Sequence, residues 1–120
     1  MSREPGALHV EVYLCRDAVD MRKSINGLSI LVEQTLALDP FRPHLFVFCN
    51  RKRDKIKILY WERTGFVLWY KRLEKHRFAW PVDVGERVVT MSGRELNWLL
   101  DGIDVFSLQP HRALSFETVL

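Results

Sequence analysis

Between residues 51 and 77 the chain carries ten basic side chains: Arg51, Lys52, Arg53, Lys55, Lys57, Arg63, Lys71, Arg72, Lys75 and Arg77. Three acids, Asp54, Glu62 and Glu74, share that stretch and leave it a local balance of +7. The other residues hold eight bases and twelve acids, a balance of −4, so the modest whole-chain charge of +3 conceals a strong asymmetry. Concentrating cations in under a quarter of the chain, on a mildly acidic background, is the electrostatic footprint of a polyanion partner. Seven of the fourteen aromatic residues, Tyr60, Trp61, Phe66, Trp69, Tyr70, Phe78 and Trp80, fall in or just beyond the same stretch. Cations that hold phosphates and rings that stack on bases together suit nucleic acid. The phosphate-contact candidates are Arg51, Lys52, Arg53, Lys55, Lys57, Lys71, Arg72, Lys75 and Arg77, with Arg22 and Lys23 secondary. Trp61, Trp69 and Trp80 are the candidates for stacking or partner contact where exposed. The same aromatic residues also suit strand interiors, and lysines also solvate a sheet's outer face.

Other chemistry is not signalled. The histidines His9, His44, His76 and His111 lack metal-site spacing, and Cys15 and Cys49 form no CxxC pair, so reduced core cysteines are expected. No GxSxG nucleophile turn and no glycine-rich phosphate loop occurs. Asp83, Glu86, Glu95, Asp101 and Asp104 are the acids from which a two-metal nuclease centre would have to be drawn. Two of them are accounted for by capping and helix ends, and spaced acids are more often solvated surface. The expectation is a protein that is not an enzyme, with no cofactor and no metal.

The elements that position these residues follow from the pattern. At 120 residues, with 48% hydrophobic and 28% charged side chains, the expectation is one domain over 1–120, its core about 9–104 and its tail 105–120 unassigned. No apolar run reaches membrane-spanning length and no secretory signal opens the chain, so a cytoplasmic protein with no membrane partner is expected. Residues 9–15 alternate Val10, Val12 and Leu14 against Glu11 and Tyr13, which predicts a strand. Ile25, Leu28, Leu31, Val32 and Leu36 form a helical stripe, capped by Asp20 or Ser24 and ended by Asp39-Pro40. Residues 45–50, 55–62 and 66–72 predict three strands of an antiparallel meander, joined by a basic turn and by a loop at 63–65. That loop places Lys57 and Lys71 on one face with Leu59, Trp61, Val67 and Trp69; a loop of another length changes the pairing. Residues 87–90 predict a further strand. Ser92 and Glu95 fit a capping box opening a helix with Leu96, Leu99 and Leu100, which Gly102 stops. The fold class is α+β: a small antiparallel meander of about four to five strands packed with two helices.

Several strings also resemble a known family: Asp20-Met21-Arg22-Lys23-Ser24, Leu38-Asp39-Pro40, HLFVF from His44, NRKRDKIKILYW from Asn50, GFVLWYKRLEKHR from Gly65, and Gly102-Ile103-Asp104. They look like the small accessory protein of the sixty-six class of bacterial insertion sequences, the second-open-reading-frame family. It is often called TnpB and is distinct from the RNA-guided nuclease of that name. The resemblance implies a non-catalytic protein of a mobile element that assists transposition beside a separate transposase. No catalytic residue carries over. Two readings remain: an accessory factor that binds DNA at the element's ends through a basic β-hairpin, or an adaptor that docks on the transposase without binding DNA on its own.

Overall fold

A computed structural model describes residues 10–81 and 85–107. The expected start of the first strand at His9, the N-terminal arm, Asp83, His111 and the tail from 108 lie outside them. Five strands, β1 (Val12–Cys15), β2 (Leu45–Cys49), β3 (Lys55–Glu62), β4 (Gly65–Arg72) and β5 (Val88–Met91), form one sheet ordered β4-β3-β2-β1-β5. The antiparallel meander β2-β3-β4 is present as expected. The sheet is mixed, however: β1 and β2 run parallel, and β5 closes against β1 antiparallel. A parallel pair needs a crossover, and the helix between β1 and β2 supplies it.

That helix, α1 (Ile25–Ile30), runs on as a π-helical segment over Leu31–Thr35. Ser24 is its N-cap position, which settles the open boundary, although its side chain makes no capping bond. Asp20 instead organises the turn before it, its carboxylate accepting from the Arg22 N–H at 2.9 Å. The helix ends before Asp39-Pro40. Ala37 takes a left-handed conformation (φ 57°), and the Leu38 N–H closes onto the Val32 carbonyl at 3.0 Å. The second helix, α2 (Gly93–Leu100), opens with the expected capping box: the Ser92 hydroxyl accepts from the Glu95 N–H at 3.1 Å, and the Glu95 carboxylate from the Ser92 N–H at 3.0 Å. Gly102, at φ 89°, adopts the left-handed backbone that a side chain would disfavour.

Alternation along the strands loads both faces of the sheet with apolar side chains, so both must be covered. Leu28, Val32 and Leu36 pack on Cys15, Phe46, Phe48 and Leu59. On the opposite face Leu96 and Leu99 of α2, with Phe78, Trp80 and Val105, pack on Val12, Leu14, Val47, Cys49, Ile56 and Ile58. Burying a leucine or phenylalanine of this kind contributes about 1.5–3 kcal/mol each. No helix of the described residues is long and apolar enough to cross a membrane.

The β3-β4 register overturns one expectation. Glu62 pairs with Gly65, so the loop is the two residues Arg63 and Thr64, one shorter than expected. Arg63 turns the corner with φ 56°, and Thr64 donates its N–H to the Glu62 carbonyl. A one-residue change of loop moves one strand's side chains to the other face. Ile56 is therefore opposite Lys71, and Lys57 opposite Tyr70. Lys57, Leu59 and Trp61 lie on the α1 side with Phe66, Leu68 and Tyr70, whereas Val67, Trp69 and Lys71 lie on the α2 side. Lys57 and Lys71 do not share a face.

Candidate nucleic-acid interface

The basic turn between β2 and β3 is built around Asn50. Its side-chain oxygen accepts from the N–H groups of Asp54 (3.1 Å) and Lys55 (3.0 Å), and its amide nitrogen donates to the Asp54 carboxylate (2.7 Å). The Asn50 bond, helped by the Lys55 ammonium, holds the Asp54 carboxyl below the usual aspartate range. Arg53 sits at φ 65°, a left-handed position that reverses the chain, and its N–H donates to the Asn50 carbonyl at 3.1 Å.

Two successive carbonyls of this turn then hold the second basic segment. The Arg53 carbonyl accepts from the Phe78 N–H at 2.7 Å, and the Asp54 carbonyl from the Leu73 N–H at 2.8 Å. Residues 74–77 are thereby pinned at both ends beside residues 50–55. Buried Phe78 and Trp80 anchor the segment from below, and the Trp80 indole N–H donates to the Cys15 carbonyl at 3.1 Å. The Cys49 carbonyl accepts from the Val19 N–H at 2.9 Å and draws residues 18–21 to the same end of the sheet.

Two adjoining hollows result. An open groove of about 500 Å³ is bounded by Ala18, Val19, Asp20 and Met21 on one side and Asn50, Arg51, Lys52 and Lys55 on the other. A smaller hollow of about 130 Å³ lies among Lys52, Asp54 and residues 73–77, so Lys52 borders both.

The expected phosphate contacts divide into three groups. Arg51, Lys52, Lys75 and Arg77 converge on this end, and none forms an ion pair among the described residues. Lys55, Arg72 and Arg22 also stand at the surface, each with a carboxylate partner: Asp54 at 3.4 Å, Glu74 at 3.0 Å and Asp20 at 2.6 Å. The Arg22 hydrogen bonds push the Asp20 carboxyl down to about 2. Lys57, Lys71 and Arg53 serve the fold. Lys57 donates to the Met21 and Lys23 carbonyls at 2.7 and 2.9 Å ahead of α1, and Lys71 to the Leu100 carbonyl at 2.8 Å at the end of α2. Arg53 points inward, its guanidinium carbon 6.0 Å from the Trp80 ring centroid. Lys23 is exposed beside α1.

The tryptophans separate too. Trp80 is only 7% exposed, so its ring is not available to stack on a base. Trp61 is half-buried against Phe41 and Phe66 at the hairpin tip, whereas Trp69 is exposed on β4. Asn50 escaped the sequence reading, which saw a polar turn without its organiser. The available signal is residue type: an asparagine between two strand patterns, whose side chain can close a turn onto backbone.

Among the described residues no group of three or more histidine, cysteine or acidic side chains is placed to hold a metal ion. Glu95 closes the capping box, and the Asp104 carboxylate accepts from the Phe106 and Ser107 N–H groups.

The family model described as "IS66 Orf2 like protein" matches residues 10–110. The chain belongs to that family. Membership implies an accessory role associated with transposition of an insertion sequence. Two curated relatives of this IS66 Orf2-like chain come from Sinorhizobium fredii (strain NBRC 101917 / NGR234). The uncharacterized protein y4hO is 34% identical over 100 residues, covering 83% of this chain and 86% of the relative. The uncharacterized protein y4jC is 33% identical over 95 residues, covering 79% and 80%. No solved structure matches the chain.

Proposed function

We propose that this IS66 Orf2-like protein is a non-catalytic accessory factor that binds DNA at the ends of its element, acting beside the element's transposase in the cytoplasm. The phosphate contacts are Arg51 and Lys52 from the β2-β3 turn and Lys75 and Arg77 from the pinned segment, with Lys55, Arg72, Arg22 and Lys23 at the margin. One observation carries this reading. Consecutive carbonyls, those of Arg53 and Asp54, clamp the two basic segments together, and the four cations so gathered have no ion-pair partner among the described residues.

Cations without carboxylate partners release counterions when they meet phosphates, so affinity for duplex end sequences should fall steeply with salt. Each phosphate contact removed should lower the slope of log affinity against log salt by about 0.9. The test is a salt titration of the protein, of Arg51→Ala with Lys52→Ala, and of Lys75→Ala with Arg77→Ala. Each double variant is expected to flatten the slope by about two contacts with its fold unchanged. Undetectable DNA binding at low salt, with stable capture of the transposase, overturns this reading in favour of the adaptor.

A further inference from the structure

Among the described residues, the edge strand β4 is the least protected part of the sheet. It runs eight residues with unbroken register against β3, and its other side has no strand partner among the described residues. Alternate residues spend their backbone groups on β3, and the intervening ones present theirs to the open edge. Natural edge strands are blunted by shortness, proline, a bulge or charge. β5, at the opposite edge, has only four residues. β4 has no proline or bulge, and from Gly65 to Tyr70 no charge. Trp69 (38% exposed) and Tyr70 (49%) stand open on its two faces, and Phe41 (57%) extends the apolar surface at the hairpin tip.

We propose that β4 is the interface of a two-fold dimer, its free edge pairing antiparallel with β4 of a second copy about an axis at Leu68. The strand is complementary to itself in that register. Centred on Leu68, Phe66 meets Tyr70 on the α1 face and Val67 meets Trp69 on the α2 face, aromatic and β-branched pairs of the kind that stabilise sheets. Lys71 then faces Gly65, and Arg72 faces Thr64 of the loop, so no like charges are opposed. Moving the axis to Tyr70 sets Leu68 against Arg72 and Trp69 against Lys71. Moving it to Phe66 sets Trp69 against Arg63 of the loop. A foreign strand would have no reason to match this pattern, whereas a second copy does so by symmetry. The dimer uses the edge of the sheet and leaves Arg51, Lys52, Lys75 and Arg77 outside it, so it stands independently of the DNA-binding reading.

The test is the mass of the full chain in solution by light scattering or sedimentation, without DNA. The expected species is about 28 kDa, twice the 14.2 kDa chain. Trp69→Glu with Tyr70→Glu places carboxylates on the open edge. The one introduced at position 70 lies opposite Lys57, so the fold is retained while the dimer is lost. Circular dichroism confirms the fold of the variant. In a second measurement, Leu68→Cys brings its thiol to the axis, where paired Cα atoms lie about 5.5 Å apart, within disulfide reach. Mild oxidation is expected to cross-link that variant quantitatively and to leave the wild-type chain uncross-linked, because Cys15 and Cys49 are buried. A monomer at every attainable concentration overturns the proposal. So does a dimer that survives the double substitution, or one that Leu68→Cys fails to cross-link.

Discussion

Lys57 and Lys71 sit on adjacent strands, one register step apart, and reach to opposite layers: Lys57 to the carbonyls of Met21 and Lys23, Lys71 to the carbonyl of Leu100. Each ammonium ties a helix to the sheet. Lys57 secures the turn entering α1, and Lys71 neutralises the partial negative charge at the C-terminal end of α2. Alanine at either position removes charge-assisted bonds to backbone and is expected to cost roughly 1–2 kcal/mol in urea unfolding. Neither substitution should change the salt slope of DNA binding. A flattened slope in Lys57→Ala would return that residue to the phosphate contacts.

Why those two lysines were misplaced by sequence reasoning, and the meander was not, has a physical basis. Strand patterns such as KIKILYW and FVLWYKR carry local alternation, and a capping box carries its own spacing, so β3, β4 and the start of α2 were legible. Facing depends on the loop, and Arg63 occupies a left-handed position that residue type does not advertise. The parallel pairing of β1 with β2 is likewise a tertiary choice, absent from the local pattern. At the candidate interface the cations were legible as a cluster. Their division into open, paired and structural groups was not, because it rests on long-range bonds such as Arg53 carbonyl to Phe78 and Trp80 indole to Cys15.

Asn50→Ala removes three side-chain hydrogen bonds from the basic turn at once. Losing the bond to the Asp54 carboxylate should let that carboxyl rise toward its ordinary value of 3.8. A lowered folded-state value stabilises the protein above the unfolded-state value and loses that contribution as pH falls through the folded one. The wild-type chain should therefore lose stability on acidification below about pH 4, and the variant less steeply. Carbon-13 titration of the Asp54 carboxyl, set beside acid unfolding of both proteins, measures this. Identical Asp54 titration in both would show that Asn50 does not control it.

Trp80→Phe separates packing from hydrogen bonding at the anchor of the pinned segment. The ring stays apolar, but the Cys15 carbonyl loses its indole donor, with an expected cost of about 1–2 kcal/mol. Trp80→Ala adds the cavity and should cost about 3–5 kcal/mol. Because Arg53 lies over the same ring, alanine should also release its guanidinium. Hydrogen exchange at the Phe78 amide, which donates to the Arg53 carbonyl, is the readout. Faster exchange is expected in Trp80→Ala and little change in Trp80→Phe.

The two thiols report on both layers of the core. Cys15 is buried on the α1 side and Cys49 on the α2 side. Burial raises both, and pushes Cys49 up to about 11 despite the nearby Arg53. Thiolate is the reactive form, so the native protein at neutral pH should resist an aromatic disulfide reagent, while the urea-unfolded chain should react at both cysteines. The same shift sets a limit at high pH. A raised folded-state value keeps its stabilisation below the unfolded-state value of 9.0 and loses it as pH climbs toward 11, because the unfolded chain ionises first. Cys49→Ser would carry a polar hydroxyl into that apolar site, whereas Cys49→Ala removes the titration with little change of shape. Cys49→Ala should therefore flatten the fall in stability between pH 9 and 11, measured by urea midpoints across that interval. An unchanged fall would assign the alkaline loss to groups other than this thiol.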